Sequence, residues 1–219
     1  MKIGIIGAGQ IGGTLTRRLS ALGHDVSVAN SRGPETLAGL AAETGATAVP
    51  VTEAARGAEV VVVTIPEKNV PGLPAGVLNG AVKGAVVIDT GTYYPQQRDG
   101  QIKPIEDGLP ESRWVEQQLG HPVVKVFNNI YADHLLKRGR PAGTGGRIAL
   151  PVTGDDKAAK AVVVRLLDQL DSTVRYATVT IGRDYGSWVE VTGGLAAGAT
   201  VVLNPPDDLK AGQRVRMAS

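Results

Sequence analysis

The stretch Lys2-Ile3-Gly4-Ile5-Ile6-Gly7-Ala8-Gly9-Gln10-Ile11-Gly12 leaves few folds open. Ile3 to Ile6 is an apolar run of the length of a short buried strand. It breaks into Gly7-x-Gly9-x-x-Gly12, and Ile11, Leu15, Leu19 and Leu22 follow at helical spacing. Strand, glycine turn and helix in that order form the dinucleotide fingerprint in its required context. Gly7 allows the tight turn, Gly9 lets backbone approach a pyrophosphate, and Gly12 lets helix pack close to strand. The free N–H groups at the helix start, at the positive end of its dipole, would hold the phosphates. Gly7, Ala8, Gly9, Gln10, Ile11 and Gly12 are therefore expected cofactor contacts. The competing reading is a glycine turn that only packs.

A second strand, Asp25 to Asn30, leads into Asn30-Ser31-Arg32, where NAD-binding folds place a carboxylate for the ribose hydroxyls. A carboxylate would repel a 2′-phosphate. An amide, a hydroxyl and a guanidinium would receive one, and the planar fork of Arg32 suits phosphate oxygens. NADP is expected over NAD, with Asn30, Ser31 and Arg32 at the phosphate; otherwise Arg32 is a solvated loop charge.

The rest of the chain alternates strand and helix. Helices are expected at Pro34–Glu43, Val51–Arg56, Asn69–Leu78 (interrupted by proline), Pro110–Leu119 and Asp155–Leu170. Strands are expected at Ala46–Val49, Glu59–Ile65, Ala85–Asp89, Pro122–Phe127 and Gly146–Val152. The β-branched run of the Glu59 strand reads as buried on both faces. The fold class is α/β, a Rossmann-type doubly wound parallel sheet over residues 1–171. Ligands in such sheets lie against the carboxyl edge of the strands. That makes Thr64, Ile65 and Pro66 candidates for the ribose or nicotinamide, unless they merely end their strand. At the end of the Pro122 strand, before Ile130, the two amides of Asn128 and Asn129 suit the nicotinamide carboxamide or a polar substrate edge. Tyr93 and Tyr94, in a long loop running to Pro104, either wall a planar substrate or cover the loop's own small core.

Other functions are argued against by composition. A net charge of +2 and an aromatic fraction of 4% give no basic face or stacking platform for nucleic acid. The absence of cysteine removes thiolate chemistry and Cys-ligated metal. No run has the roughly 18 apolar residues of a membrane helix, and the chain opens on a strand without a leader, so no membrane and a cytoplasmic location are expected.

Residues 1 to about 171 resemble the coenzyme F420-dependent NADP oxidoreductases. The resemblance rests on Gly7-x-Gly9-x-x-Gly12, Asn30-Ser31-Arg32, Ile65-Pro66 and Val124-Lys125-Val126-Phe127-Asn128-Asn129-Ile130, the last similar to the family's V-K-A-F-N-T-I. The module also resembles the cytosolic reductase domain of metalloreductases, and Asp89-Thr-Gly-Thr-Tyr-Tyr-Pro95 looks like a short bacterial subgroup. The resemblance implies that Ser31 and Arg32 hold the 2′-phosphate and that Ile65, Asn128 and Ile130 lie near the nicotinamide. From Ser172 the chain instead shows short alternating strands between glycine turns, an all-β pattern. There Val191-x-x-Gly194-Leu195-x-x-Gly198 resembles the membrane-proximal β domain of efflux-pump periplasmic adaptor subunits. The expectation is a chimera joined near Asp171-Ser172: a Rossmann domain over 1–171 and a small C-terminal all-β appendage over 172–219, with Val174 to Val179 as an edge strand of the Rossmann sheet.

The expected function is an NADPH-dependent reductase, passing hydride from nicotinamide C4 to a planar small-molecule acceptor. Coenzyme F420, a flavin or a quinone-like ring would be the second substrate, and a homodimer the assembly. Such chemistry needs positioning more than acid–base groups. Asn129 and His134 are the candidate catalytic residues, His134 otherwise being an ordinary helix-start residue; His24 and His121 read as structural. The alternatives are a non-catalytic NADP-binding module whose acceptor pocket is altered by the tail, and an adaptor-like interaction protein.

Overall fold

The computed structural model of the chain describes residues 1–140, 148–170, 180–184, 188–193 and 214–217. Six short strands form its centre: β1 (Lys2–Ile6), β2 (Asp25–Ala29), β3 (Thr47–Ala48), β4 (Val60–Val63), β5 (Val86–Asp89) and β6 (Val123–Lys125). They run parallel in the order β3-β2-β1-β4-β5-β6. The strand order reverses between β1 and β4, the switch point where such sheets bind ligands.

Strand residues alternate between two apolar layers. Ile3, Ile5, Val60, Val62 and Val28 pack on one face with Leu15 and Leu19 of α1 (Gln10–Ala21). Below them lie Leu135 of a short helix, Ala132–Lys137, and Val163, Leu166 and Leu167 of a longer one, Lys157–Gln169. Ile6, Val61, Val63 and Val87 face the other way, against Trp114 and Val115 of the helix Glu111–Leu119. Covering on both faces is why β1, β4 and β5 read as continuous apolar runs. In chain order the helices after α1 are α2 (Ala38–Thr44), α3 (Lys103–Glu106), α4 (Glu111–Leu119), α5 (Ala132–Lys137) and α6 (Lys157–Gln169). Asp156 caps α6 by accepting from the N–H groups of Ala158 at 2.7 Å and Ala159 at 3.1 Å. Arg18 fastens α1 to the ends of two others, donating to the carbonyls of Leu135 at 2.6 Å and Leu170 at 2.7 Å.

Several expected elements differ, most of them at prolines. The helix expected over Pro34–Glu43 is a 3₁₀ turn, Pro34–Leu37, followed by α2. The helix expected over Asn69–Leu78 is a 3₁₀ segment, Glu67–Gly72, with Pro71 inside it. Pro71 and Pro74 deny it the N–H groups an α-helix needs. Residues 148–152, expected within a seventh strand, form none. Thr153 instead makes one antiparallel bridge to Lys125, by N–H···O contacts of 2.9 and 3.0 Å. Pro151 has no donor for a ladder, yet Leu150 and Val152 still bury their side chains in the core.

Beyond α6 the backbone of three strands is described, β7 (Thr180–Asp184), β8 (Trp188–Gly193) and β9 (Arg214–Met217), paired with each other in a separate sheet. The expected edge strand Val174–Val179 lies outside the described residues, as do Gly194, Leu195 and Gly198.

Candidate functional site

Backbone contacts fix the β1–α1 turn. Gly7 has φ +109°, and a Cβ there would stand 2.2 Å from the carbonyl oxygen of Thr64. A Cβ on Gly12 would stand 1.9 Å from the carbonyl oxygen of Gly7. Both clashes are with backbone, so neither position tolerates a side chain. Gly9 differs: a Cβ there would meet nothing within 4 Å among the described residues. No contact among the described residues requires glycine at the start of α1, whereas a pyrophosphate approaching the backbone would. Gly9 is the N-cap of α1, no side chain among the described residues caps the helix, and its first turn holds no acidic residue. Its leading N–H groups are thus left for an anion. Ala8 and Ile11 are half-buried against the core, and Gln10 is exposed.

The loop after β2 is pre-shaped. Asn30 accepts from the N–H of Arg32 at 2.9 Å and donates to the hydroxyl of Thr36 at 2.9 Å, which donates in turn to the carbonyl of Gly33 at 2.8 Å. The amide of Asn30 is therefore engaged inside the loop. Ser31 and Arg32 are exposed.

At the carboxyl edge, Thr64, Ile65 and Pro66 follow β4, half-buried, and the fingerprint turn packs on them: a Cβ on Gly7 would lie 2.8 Å from Ile65 Cγ2. Across the edge, Asn128, Asn129 and Ile130 follow β6. Phe127, buried, takes φ +67° at this bend. For a bulky residue that conformation costs about 1–3 kcal/mol and concentrates at functional sites. The backbone carbonyl of Asn128 accepts from Thr92 Oγ1 at 3.0 Å. Both amide atoms of Asn129 are buried and have no hydrogen-bond partner among the described residues. His134 lies on α5 with its ring edge-on to Tyr131, centroids 5.5 Å apart. His24 is held by Met1 and Gln169, and His121 by its neighbour's carbonyl.

The loop 91–110 answers the question about its tyrosines differently for each. The Tyr93 hydroxyl donates to Glu106 at 2.6 Å and accepts from the N–H of Ile102 at 2.8 Å, so it closes the loop's own interior. Burial, then the bond to Glu106, holds its phenol above the usual value. Tyr94 is exposed, with the Arg98 guanidinium 5.2 Å over its ring.

Beneath this loop is a buried charge cluster that sequence reasoning missed. Lys125, at the end of β6, lies beside Asp89 at the end of β5. Its ammonium nitrogen stands 3.1 Å from Asp89 Oδ2, 2.8 Å from Glu111 Oε2 and 3.8 Å from Glu67 Oε1. Burial opposes the charge on Lys125, but Asp89, Glu111 and Glu67 outweigh it and hold the ammonium above its usual range. Glu67 is fully buried, and neither of its oxygens has a hydrogen-bond partner among the described residues. Burial first, then the charge of Asp89, push its carboxyl up to about 8, with Lys125 opposing. Asp99 is buried too; burial works against its ionisation, but Arg98 and the N–H groups of Tyr94 and Lys68 hold it below its usual value. The signal was an ionisable residue ending each of two adjacent apolar strands, with opposite charges that fall side by side once β5 and β6 are paired.

Residues 2–93 match the family model described as NADP oxidoreductase, coenzyme F420-dependent. A comparison with curated proteins returns no match. Among solved structures, the chain is similar to a hypothetical protein from Sinorhizobium meliloti, 27% identical, over 80% of this chain and 83% of that one, with a TM-score of 0.66. It is similar also to a candidate F420-dependent NADP-reductase from Arthrobacter sp. FB24, 25% identical, over 80% of this chain and 82% of that one, again at 0.66. An imine reductase from Pseudomonas sp., 19% identical at a TM-score of 0.56 over 80% of this chain and 55% of its own, shares the fold.

These matches correct the expectation of a chimera. The reductase-like match takes in four-fifths of the chain and most of each relative's length, as a single Rossmann domain, not a fusion with an efflux-adaptor β domain. Glycine turns between short alternating stretches recur in unrelated β structure, so the V-x-x-G-L-x-x-G likeness did not carry an origin. Similarity to this family supports an NADP-dependent oxidoreductase function for the chain.

Proposed function

We propose that the chain is an NADPH-dependent reductase that passes hydride from nicotinamide C4 to a planar acceptor, a deazaflavin such as coenzyme F420, a flavin or a quinone-like ring. The observation that carries the reading is Gly9, a glycine that packing among the described residues does not demand, at the start of α1, which no described side chain caps. NADPH, when bound, supplies the hydride; the chain's residues bind and orient.

In this reading the backbone of Gly7, Ala8, Gly9, Gln10, Ile11 and Gly12 cradles the pyrophosphate. Ser31 and Arg32 take the 2′-phosphate, and Asn30 shapes the loop that presents them. Thr64, Ile65 and Pro66 on one side, and Asn128 and Ile130 on the other, flank the ribose and nicotinamide. Asn129 carries a donor and an acceptor without partners among the described residues, which suits a carboxamide or the polar edge of the acceptor. His134 is the second catalytic candidate, its ring nitrogens free of hydrogen bonds among the described residues. A homodimer in the cytoplasm belongs to the same proposal. No helix among the described residues is long and apolar enough to cross a membrane.

Stopped-flow loss of NADPH absorbance against a panel of flavin and deazaflavin acceptors tests the reading. Turnover with at least one is expected. NADPH binding without turnover on any would leave an NADP-binding module and defeat the reductase.

A further inference from the structure

The buried cluster does more than neutralise a lysine. Asp89 reaches Lys125 with Oδ2 and accepts from the N–H of Gly91 with Oδ1, at 2.8 Å. Glu111 reaches Lys125 with Oε2 and accepts from the N–H of Tyr93 with Oε1, at 3.1 Å. Asp99 accepts from the N–H of Tyr94 at 2.8 Å and from that of Lys68, next to Glu67, at 3.4 Å. The backbone of residues 91–94, the wall beside the carboxyl edge, therefore hangs on three carboxylates, two of which Lys125 holds together.

Glu67 is the odd member. Its carboxyl lies where a Cβ on Gly91 would be, 2.1 Å from Oε1, so the wall's glycine leaves room for it. Among the described residues it receives no N–H and has Lys125 only at 3.8 Å. An ionised carboxylate there would be buried without a hydrogen bond, and two neighbouring carboxylates would compete with it for one ammonium.

We propose that Glu67 is a positioning residue that works as a neutral acid: carrying a proton, it leaves Lys125 to clamp Asp89 and Glu111, and so keeps the 91–94 wall fastened to the sheet. The groups facing it are Asp89, Lys125, Glu111 and Asp99, the last paired with Arg98. Loss of the proton sets a third negative charge beside Asp89, draws Lys125 off its two partners and slackens the wall. The wall is fastened below about pH 8 and loosened above it. Insofar as this edge receives the nicotinamide, which rests on the function proposed above, NADPH affinity falls in alkaline solution.

Amide hydrogen exchange of the free protein, followed by NMR, tests the clasp without cofactor. Protection of the Gly91, Tyr93 and Tyr94 amides, corrected for intrinsic exchange, should fall about fivefold or more between roughly pH 7 and 9, and stay level in Glu67→Gln. One glutamate side-chain carboxyl carbon should titrate in step with that fall and be missing from the variant. Should Glu67→Gln fail to fold, the wild-type protein alone decides: amides whose protection does not follow a glutamate titrating in this range overturn the clasp. An identical course in both proteins overturns it as well. NADPH titrations at the same pH values separate the two proposals. Absence of NADPH binding at every pH defeats the cofactor reading while the exchange data still judge the clasp.

Discussion

The two ends of the candidate site are shaped by opposite means. At the β1–α1 turn the shape is steric: two glycines are fixed by backbone contacts of their would-be Cβ atoms, and a third is open. Beside β5 and β6 it is electrostatic: one lysine, nine-tenths or more buried, gathers carboxylates from different elements, and these hold the wall's backbone. A steric turn is local in sequence and insensitive to pH. A charge cluster is assembled from distant positions and depends on how many protons it holds. The difference gives each end its own way to fail.

The largest break should come from Gly12→Val. Its side chain would drive into the carbonyl of Gly7, and the β1–α1 junction should unfold or lose NADPH binding altogether, as read by thermal melting and calorimetry. Lys125→Met comes next. It leaves Asp89 and Glu111 buried without their cation, and denaturant unfolding should show a loss of about 3–5 kcal/mol. A loss under about 1 kcal/mol would mean that water already reaches the cluster.

Stability against pH isolates Glu67. Its folded carboxyl is raised from 4.5 to about 8, so folding takes up a proton between those values. The contribution is fully present below pH 4.5, fades as pH rises through about 8, and should amount to roughly a few kcal/mol. Glu67→Gln should remove that slope and be the more stable protein at pH 9. The paired carboxylates of Glu43, Glu53 and Asp133, all lowered, act in the other direction and lose their contribution as pH falls. The smallest effect belongs to Tyr93→Phe. It removes the bonds to Glu106 and Ile102 and should lower stability by about 1 kcal/mol while leaving NADPH affinity nearly unchanged.

How much could be read from the chain follows the same division. The strand–turn–helix start, the parallel sheet and the buried face of α1 at Leu15 and Leu19 were legible because each is written in the spacing of neighbouring residues, whereas Leu22, at the same spacing, caps the helix and is exposed. The Asn30–Arg32 loop shows the limit of residue types: they suggested a phosphate contact for Asn30, and nothing in them showed its amide bonded within the loop to Arg32 and Thr36. The cluster was not legible, because Asp89 and Lys125 are 36 positions apart and meet only through strand pairing. Pro151, Pro71 and Pro74 show the limit at the level of elements: apolar patterning placed their neighbours in the core, while the missing N–H groups withheld the expected strand and helix.

One titration goes to the centre. NADPH and NADH are measured by calorimetry against the wild-type protein, Gly9→Ala and Arg32→Glu. The expected result is NADPH tighter than NADH by about tenfold or more. Gly9→Ala should keep its melting temperature but bind both cofactors more weakly, and Arg32→Glu should erase the preference between them. Equal affinities for the two cofactors in the wild-type protein would contradict a 2′-phosphate site at Ser31 and Arg32, and Gly9→Ala binding as tightly as it would contradict a pyrophosphate site at the β1–α1 turn.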